Sequence, residues 1–166
     1  MSKLKRIIIL VNLALLLIYI NWSIAAKERT LDNGRLVLLE LAPVDPRSLM
    51  QGDYMRLNYA IADTMRTESG IAKRGYCIVT LDSDNVAQFV RVQKDPEPLK
   101  NGEQLIKYFS DGNRLISVHL GAESYFFEEG SGRKYEAAKY GGLKIDSEGN
   151  SILVGLYNDE YKLILK

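Results

Sequence analysis

Gly52-Asp53-Tyr54-Met55-Arg56-Leu57-Asn58-Tyr59 puts a turn residue, a charge and an alternating aromatic run into eight consecutive positions. Side chains of an extended strand point to opposite faces in turn. Met55, Leu57, Tyr59 and the following Ile61 therefore share one face, while Tyr54, Arg56 and Asn58 share the other, and the run reads as a strand from Tyr54 to Ile61 with one face in an apolar core. Upstream, Asp45-Pro46 sets a capping carboxylate before a proline at the first helical position, where the missing N–H costs nothing. Gly52 supplies the left-handed residue that ends such a turn, so Asp45 to Gly52 is expected to form a short capped turn feeding the strand. That layout gathers Asp45, Arg47, Asp53, Tyr54 and Arg56 around one strand entrance. Asp53 can pair there with Arg47 or Arg56 to fix the turn, or the group can form a small polar pocket or docking surface.

Two-residue periodicity with turn residues between the runs continues downstream, as in an antiparallel β domain. Strands are expected at Arg35 to Leu41, Gly75 to Leu81, Val86 to Gln93, Gln104 to Phe109, Arg114 to Leu120, Leu143 to Ile145, Ser151 to Tyr157 and Tyr161 to Leu165. Asp82-Ser83-Asp84-Asn85 and Asp111-Gly112-Asn113 read as hairpin turns, and Asp146 to Asn150 as a third connection. Asp95-Pro96-Glu97-Pro98 belongs at the surface, because proline has no amide to donate to a sheet interior. Only Arg133 to Lys139 looks helical in this part of the chain.

The N-terminal end follows a different pattern. Lys3, Lys5 and Arg6 precede twenty uncharged residues from Ile7 to Ala26. As a helix these would rise about 1.5 Å each, roughly 30 Å in all, which is the thickness of a bilayer's hydrocarbon core. Three cations before the stretch and Lys27-Glu28-Arg29 after it leave the positive excess at the N-terminus, the arrangement that keeps that end cytoplasmic. Small residues at Ser23-Ile24-Ala25 would suit a signal peptidase, but a signal core is usually only 7–15 residues long. Tyr19 and Trp22 also stand where interfacial anchors belong. An uncleaved anchor is the reading adopted. The expected organisation is a cytoplasmic basic tail over 1–6, a transmembrane signal anchor over 7–26 and an extracytoplasmic domain over 27–166. The fold class is mainly β: an N-terminal transmembrane helix followed by an antiparallel β-rich domain with one short helix.

Charge narrows the function. All 21 acidic residues and all but three of the 22 basic ones follow the apolar stretch, so the outer part carries a net charge of about −2 with no basic cluster. A nucleic-acid surface would show the opposite balance. Cys77, the single cysteine, sits in an apolar strand-like run and is expected to be a buried structural thiol. His119, the single histidine, lies in another such run and is expected to be a packing residue, leaving no multi-histidine metal site. Asp82-Ser83-Asp84 lacks the glycine and closing glutamate of a calcium loop and reads as a turn. No cofactor is expected. Glu123, Glu128 and Glu129 lie near Gly130-Ser131-Gly132, a pattern more typical of a solvated loop than of paired acids in a cleft.

The octapeptide resembles the signature of the GDYxxLxY family of membrane-anchored bacterial proteins. Asp45-Pro46-Arg47-Ser48-Leu49-Met50-Gln51-Gly52-Asp53-Tyr54 is similar to that family's longer form, D-P-R-x-L-x-x-G-D-Y. Gly121-Ala122-Glu123-Ser124-Tyr125-Phe126-Phe127-Glu128-Glu129-Gly130 resembles a second block, G-x-E-x-Y-F-x-x-E-G. The resemblance implies one membrane span, an extracytoplasmic β-rich domain and association with multi-pass membrane proteins, and it implies no catalytic residue. The candidate binding residues are Asp45, Arg47, Asp53, Tyr54, Arg56, Glu123 and Glu129, with Pro46, Gly52, Leu57, Tyr59 and Gly130 as framework. The reading adopted is a membrane-anchored, non-enzymatic binding or accessory module of the bacterial cell envelope. A small-ligand sensor and an anchored Ser-Lys hydrolase are the alternatives. The spacing of Pro46 to Gly52-Asp53 is similar to that of bacterial signal peptidases, but it is one residue longer, and Pro43 stands where their serine would be. Ser48 and Lys94 are the nearest substitutes, and they would have to meet with the lysine desolvated.

Overall fold

The computed structural model describes residues 3–42, 54–68, 71–111, 117–128 and 130–165. Helix α1 runs unbroken over Lys3–Asn33, 31 residues or about 47 Å at the usual rise. It does not stop at Ala26 where the apolar stretch ends. Its apolar side chains are exposed all round, so the helix is long and apolar enough to span a membrane. Two asparagines within it close their amides on the preceding turn, Asn12 Nδ2 donating to Ile8 O at 2.9 Å and Asn21 Nδ2 to Leu17 O at 2.8 Å. Each local bond satisfies one of the carboxamide's two N–H donors and so lowers the cost of taking the group out of water.

Beyond α1 the described residues form nine strands in three antiparallel sheets. Strand β1 (Arg35–Glu40) pairs with β8 (Tyr140–Ile145), which pairs with β9 (Ser151–Tyr157). Strands β3 (Arg74–Leu81), β4 (Ala87–Gln93), β5 (Glu103–Ser110) and β6 (Val118–His119) form a second sheet in the order β4-β3-β5-β6. Strands β2 (Tyr54–Arg56) and β7 (Ser124–Phe126) make a two-stranded ribbon. A short helix α2 covers Ala60–Arg66. The sheets join where Leu38 N donates to Asn85 O at 2.8 Å, next to a parallel bridge between Leu38 and Val86. One apolar cluster draws on all three sheets and on α2, including Val37, Leu57, Met65, Cys77, Ile106 and Leu143. The mainly β architecture with an N-terminal apolar helix is as the sequence leads one to expect.

Several expectations change in detail. The strand begun at Tyr54 ends at Arg56, and Ile61 belongs to α2. Ile61, Ala62 and Met65 are buried on one side of that helix, and their spacing is a helical face that begins two residues after Tyr59, so the strand alternation merges into it unnoticed. Arg133 to Lys139 is not an α-helix; a single 3-10 turn spans Gly132–Tyr135. Ser124–Phe126 is a strand not expected, β8 begins at Tyr140 and not Leu143, and Tyr161 to Leu165 contributes one isolated bridge, Leu163 to Tyr157. Of Arg114 to Leu120, only Val118–His119 is strand among the described residues.

Among the described residues one five-residue turn occurs three times. At Asp82, Asp146 and Asn158 the side-chain Oδ1 accepts from the backbone N–H groups two and four residues on, at 2.9–3.0 Å in each case. The residue three on has a positive φ: Asn85 at 64°, Gly149 at 82° and Tyr161 at 58°. A carboxylate or amide that holds two amides defines the turn without a metal, which accounts for the calcium-like look of Asp82-Ser83-Asp84.

The second of these turns also meets α1. Thr30, only 5 % exposed, donates its Oγ1 to Asp146 Oδ2 at 2.9 Å, and Lys144 Nζ donates to Gly34 O at 2.9 Å. The last turn of α1 is thus fastened to the β8–β9 hairpin. Burial pushes the Asp146 carboxyl up, but hydrogen bonds from Asn150, Thr30 and Glu148 outweigh it and hold the group below the usual carboxylate range.

Candidate functional site

The two blocks read from the sequence are physical partners. Strand β2 lies antiparallel to β7 with Tyr54 opposite Phe126, Met55 opposite Tyr125 and Arg56 opposite Ser124. Past the ladder the chain stays extended, Leu57 N donating to Glu123 O and Ala42 N to Asn58 O, each at 2.8 Å. The stretch from Tyr54 to Tyr59 therefore stitches β7 on one side to the end of β1 on the other.

Its inner face is closed. Met55, Leu57 and Tyr59 are buried, and the Tyr59 hydroxyl donates to Ala122 O at 2.6 Å. Burial, and secondarily the charge of Glu123, raises the Tyr59 phenol far above its usual range, so it stays a neutral donor. Gly141 makes the room: a Cβ there would lie 2.9 Å from the Tyr59 ring. Tyr125 packs edge-on against Tyr135 with ring centroids 5.1 Å apart, and burial pushes its phenol up to about 12. Glu123 accepts from the backbone N–H groups of Leu120 and Gly121 and so ties the corner that opens the second block. Leu57 and Tyr59 pack into the core, and Glu123 holds two backbone amides of the corner.

The outer face is open. Tyr54 (41 % exposed) and Phe126 (69 %) stand beside each other, ring centroids 5.8 Å apart, with Arg56 exposed on the same face. Gly130 is exposed with φ 80°. Asp45, Pro46, Arg47, Gly52, Asp53 and Glu129 lie outside the described residues, as does Ser48 of the hydrolase alternative, whose Lys94 is solvent-exposed. Cys77 is buried, and burial pushes its thiol up to about 12, which suits a structural thiol. His119 stacks on Phe109 with centroids 4.6 Å apart, a packing role that still leaves it half-exposed. Among the described residues no three histidine, cysteine or carboxylate groups cluster to hold a metal.

A second feature escapes the sequence reading. The outward face of the four-stranded sheet carries a cleft of about 540 Å³ whose lining includes Arg74, Tyr76, Lys94, Lys107, Phe109 and His119. Pairing register explains it: Arg74 lies opposite Phe109 and Tyr76 opposite Lys107, while His119 lies opposite Phe109 on the far side. The expected strand begins one residue late, at Gly75 and not Arg74, and the strand order that brings these residues together has no local signature.

A membrane-length helix fastened to an antiparallel β domain, with two motif blocks paired as one ribbon, defines the class of this molecule. The GDYXXLXY protein family matches residues 16–156, and the chain belongs to that family. Neither the curated proteins nor the solved structures give a match.

Proposed function

We propose that this protein is a single-pass protein of the bacterial inner membrane, N-terminus cytoplasmic, whose outer domain is a non-enzymatic module that binds a multi-pass membrane protein. The observation that carries this reading is the continuity of α1 with the domain through the Thr30–Asp146 bond at 2.9 Å. Thr30 follows the Ser23-Ile24-Ala25 site and would stay with the domain even after cleavage there, but α1 is unbroken through that site and Trp22 and Ser23 line the groove against the β8–β9 hairpin, which fits an anchor that stays with its domain. The cations at Lys3, Lys5 and Arg6 support the orientation. The exposed Tyr54–Phe126 pair with Arg56 beside it supports binding, since aromatic and arginine side chains are enriched at the centres of protein interfaces.

Affinity capture from detergent-solubilised membranes tests the reading. The wild type is expected to bring down a multi-pass protein that the Tyr54→Ala/Phe126→Ala double variant, equally abundant and equally stable, does not. The same co-purifying proteins in both samples would remove the ribbon as the docking face.

A further inference from the structure

We propose that the cleft on the outward face of the four-stranded sheet binds a phosphate ester. Three cations surround it, Arg74, Lys94 and Lys107, with His119 beside them and no carboxylate among its described lining residues. The two ends of this sheet face differ in how their cations are used. At the far end Arg91 is closed by Glu103, Nη1 to Oε1 at 2.5 Å and Nη2 to Oε2 at 2.9 Å, and it also donates to Pro98 O. At the cleft end the side chains of Arg74 and Lys94 make no ion pair or hydrogen bond among the described residues. Lys107 donates to Asn150 Oδ1 at 2.7 Å, with Glu148 at 3.9 Å, so its ammonium is held at the wall and one carboxylate offsets part of its charge.

Arginine and lysine converging from different strands on a concave surface suit a phosphoryl group, which takes several charge-assisted hydrogen bonds at once. The floor, formed by Tyr76 and the stacked Phe109–His119 pair, offers apolar surface to the body of the ester. The volume falls within the ordinary range of small-molecule sites.

Position narrows the source of the phosphate. Asn150 and Ser151 line both this cleft and the groove between α1 and the β8–β9 hairpin, a groove that begins at Trp22. Thr30 lies four residues past Ala26, about 6 Å along the helix axis, and the headgroup layer of a bilayer is about 5–7 Å deep on each side. The cleft therefore adjoins the headgroup zone if α1 spans the membrane, and that second step rests on the membrane reading above. A lipid headgroup and a soluble phosphate ester share the recognising chemistry.

Calorimetric titration of the full chain separates them. In maltoside micelles, which carry no phosphate, glycerol phosphate and inorganic phosphate are expected to bind saturably and neutral glycerol not at all. Arg74→Ala and Lys94→Ala should each weaken binding about tenfold, as befits loss of one charge-assisted contact, while Arg74→Lys keeps most of it. Both side chains are exposed, and an unchanged melting temperature certifies each variant's fold. In phosphatidylglycerol nanodiscs, loss of glycerol phosphate binding would show that a lipid headgroup fills the cleft, and retention would show a soluble ligand. Absence of saturable binding in micelles, or binding indifferent to both alanine variants, overturns the proposal. None of these readouts involves partner capture, so the two readings fail separately.

Discussion

The signature ribbon and the sheet-face cleft divide the molecule's polar chemistry in opposite ways. In the ribbon, the Tyr59 hydroxyl and the Glu123 carboxylate both close on the chain's own backbone, and the outer aromatic pair with Arg56 is left exposed. In the cleft, Arg74 and Lys94 close on nothing among the described residues. The motif blocks thus build the core with one face and present aromatic side chains on the other, while the cations of the cleft lie outside them. Substitutions in the two regions should separate stability from binding.

The largest effect belongs to the ribbon's inner face. Leu57 is fully buried, and Leu57→Ala should cost about 2–5 kcal/mol, the range for emptying such a site, read as a lower denaturant midpoint of the full chain in micelles. A cost under about 0.5 kcal/mol would mean that the signature is not core. Tyr59→Phe comes next. It leaves Ala122 O buried without its donor, an expected loss of about 1–3 kcal/mol. If Tyr59→Phe proves neutral, the hydroxyl is there for something other than folding.

Acid should act elsewhere, on two carboxylates with depressed pKa values. A hydrogen bond from Arg91, with another from the Lys100 backbone, lowers Glu103 to about 2, and the bonds at Asp146 hold it down as well. Each stabilises the fold fully above its unfolded pKa, roughly 4 for such groups, and that contribution is lost as the pH falls through the folded value. Melting temperature should therefore decline below about pH 4. Glu103→Gln and Asp146→Asn should each flatten that decline, and a decline unchanged in both variants would assign the acid sensitivity to other groups. The smallest effects are expected at the surface: Phe126→Ala, Arg74→Ala and Lys94→Ala should each stay within about 0.5 kcal/mol of wild type.

Much of this was legible in the sequence, for local reasons. Alternation alone put Met55, Leu57 and Tyr59 inside, and an uncharged stretch of bilayer length identified the apolar helix. The side-chain acceptors at Asp82 and Asp146 mark their turns within five residues. What stayed hidden depends on long-range pairing. Nothing local says that Tyr54 faces Phe126, that Glu123 accepts from the Leu120 and Gly121 amides, or that β5 lies between β3 and β6 and so builds a cationic cleft. Helix α2 was missed because a buried Ile61 suits both a strand of period two and a helix starting two residues after Tyr59. No local sign in the sequence shows that α1 runs past the apolar stretch, because Lys27 to Asn33 is mostly charged and polar.

The central claim is that α1 anchors the domain and holds its β8–β9 turn at the membrane surface. Glu148 is exposed in that turn, whereas Cys77 is buried and unreactive, so a fluorophore attached through Glu148→Cys in reconstituted protein reports that position alone. The account requires strong quenching by lipids with a nitroxide on the headgroup and weak quenching by lipids with a nitroxide deep in the acyl chains. Fluorescence indifferent to both lipids, or a product that leaves the bilayer without residues Ile7 to Ala26, would contradict it.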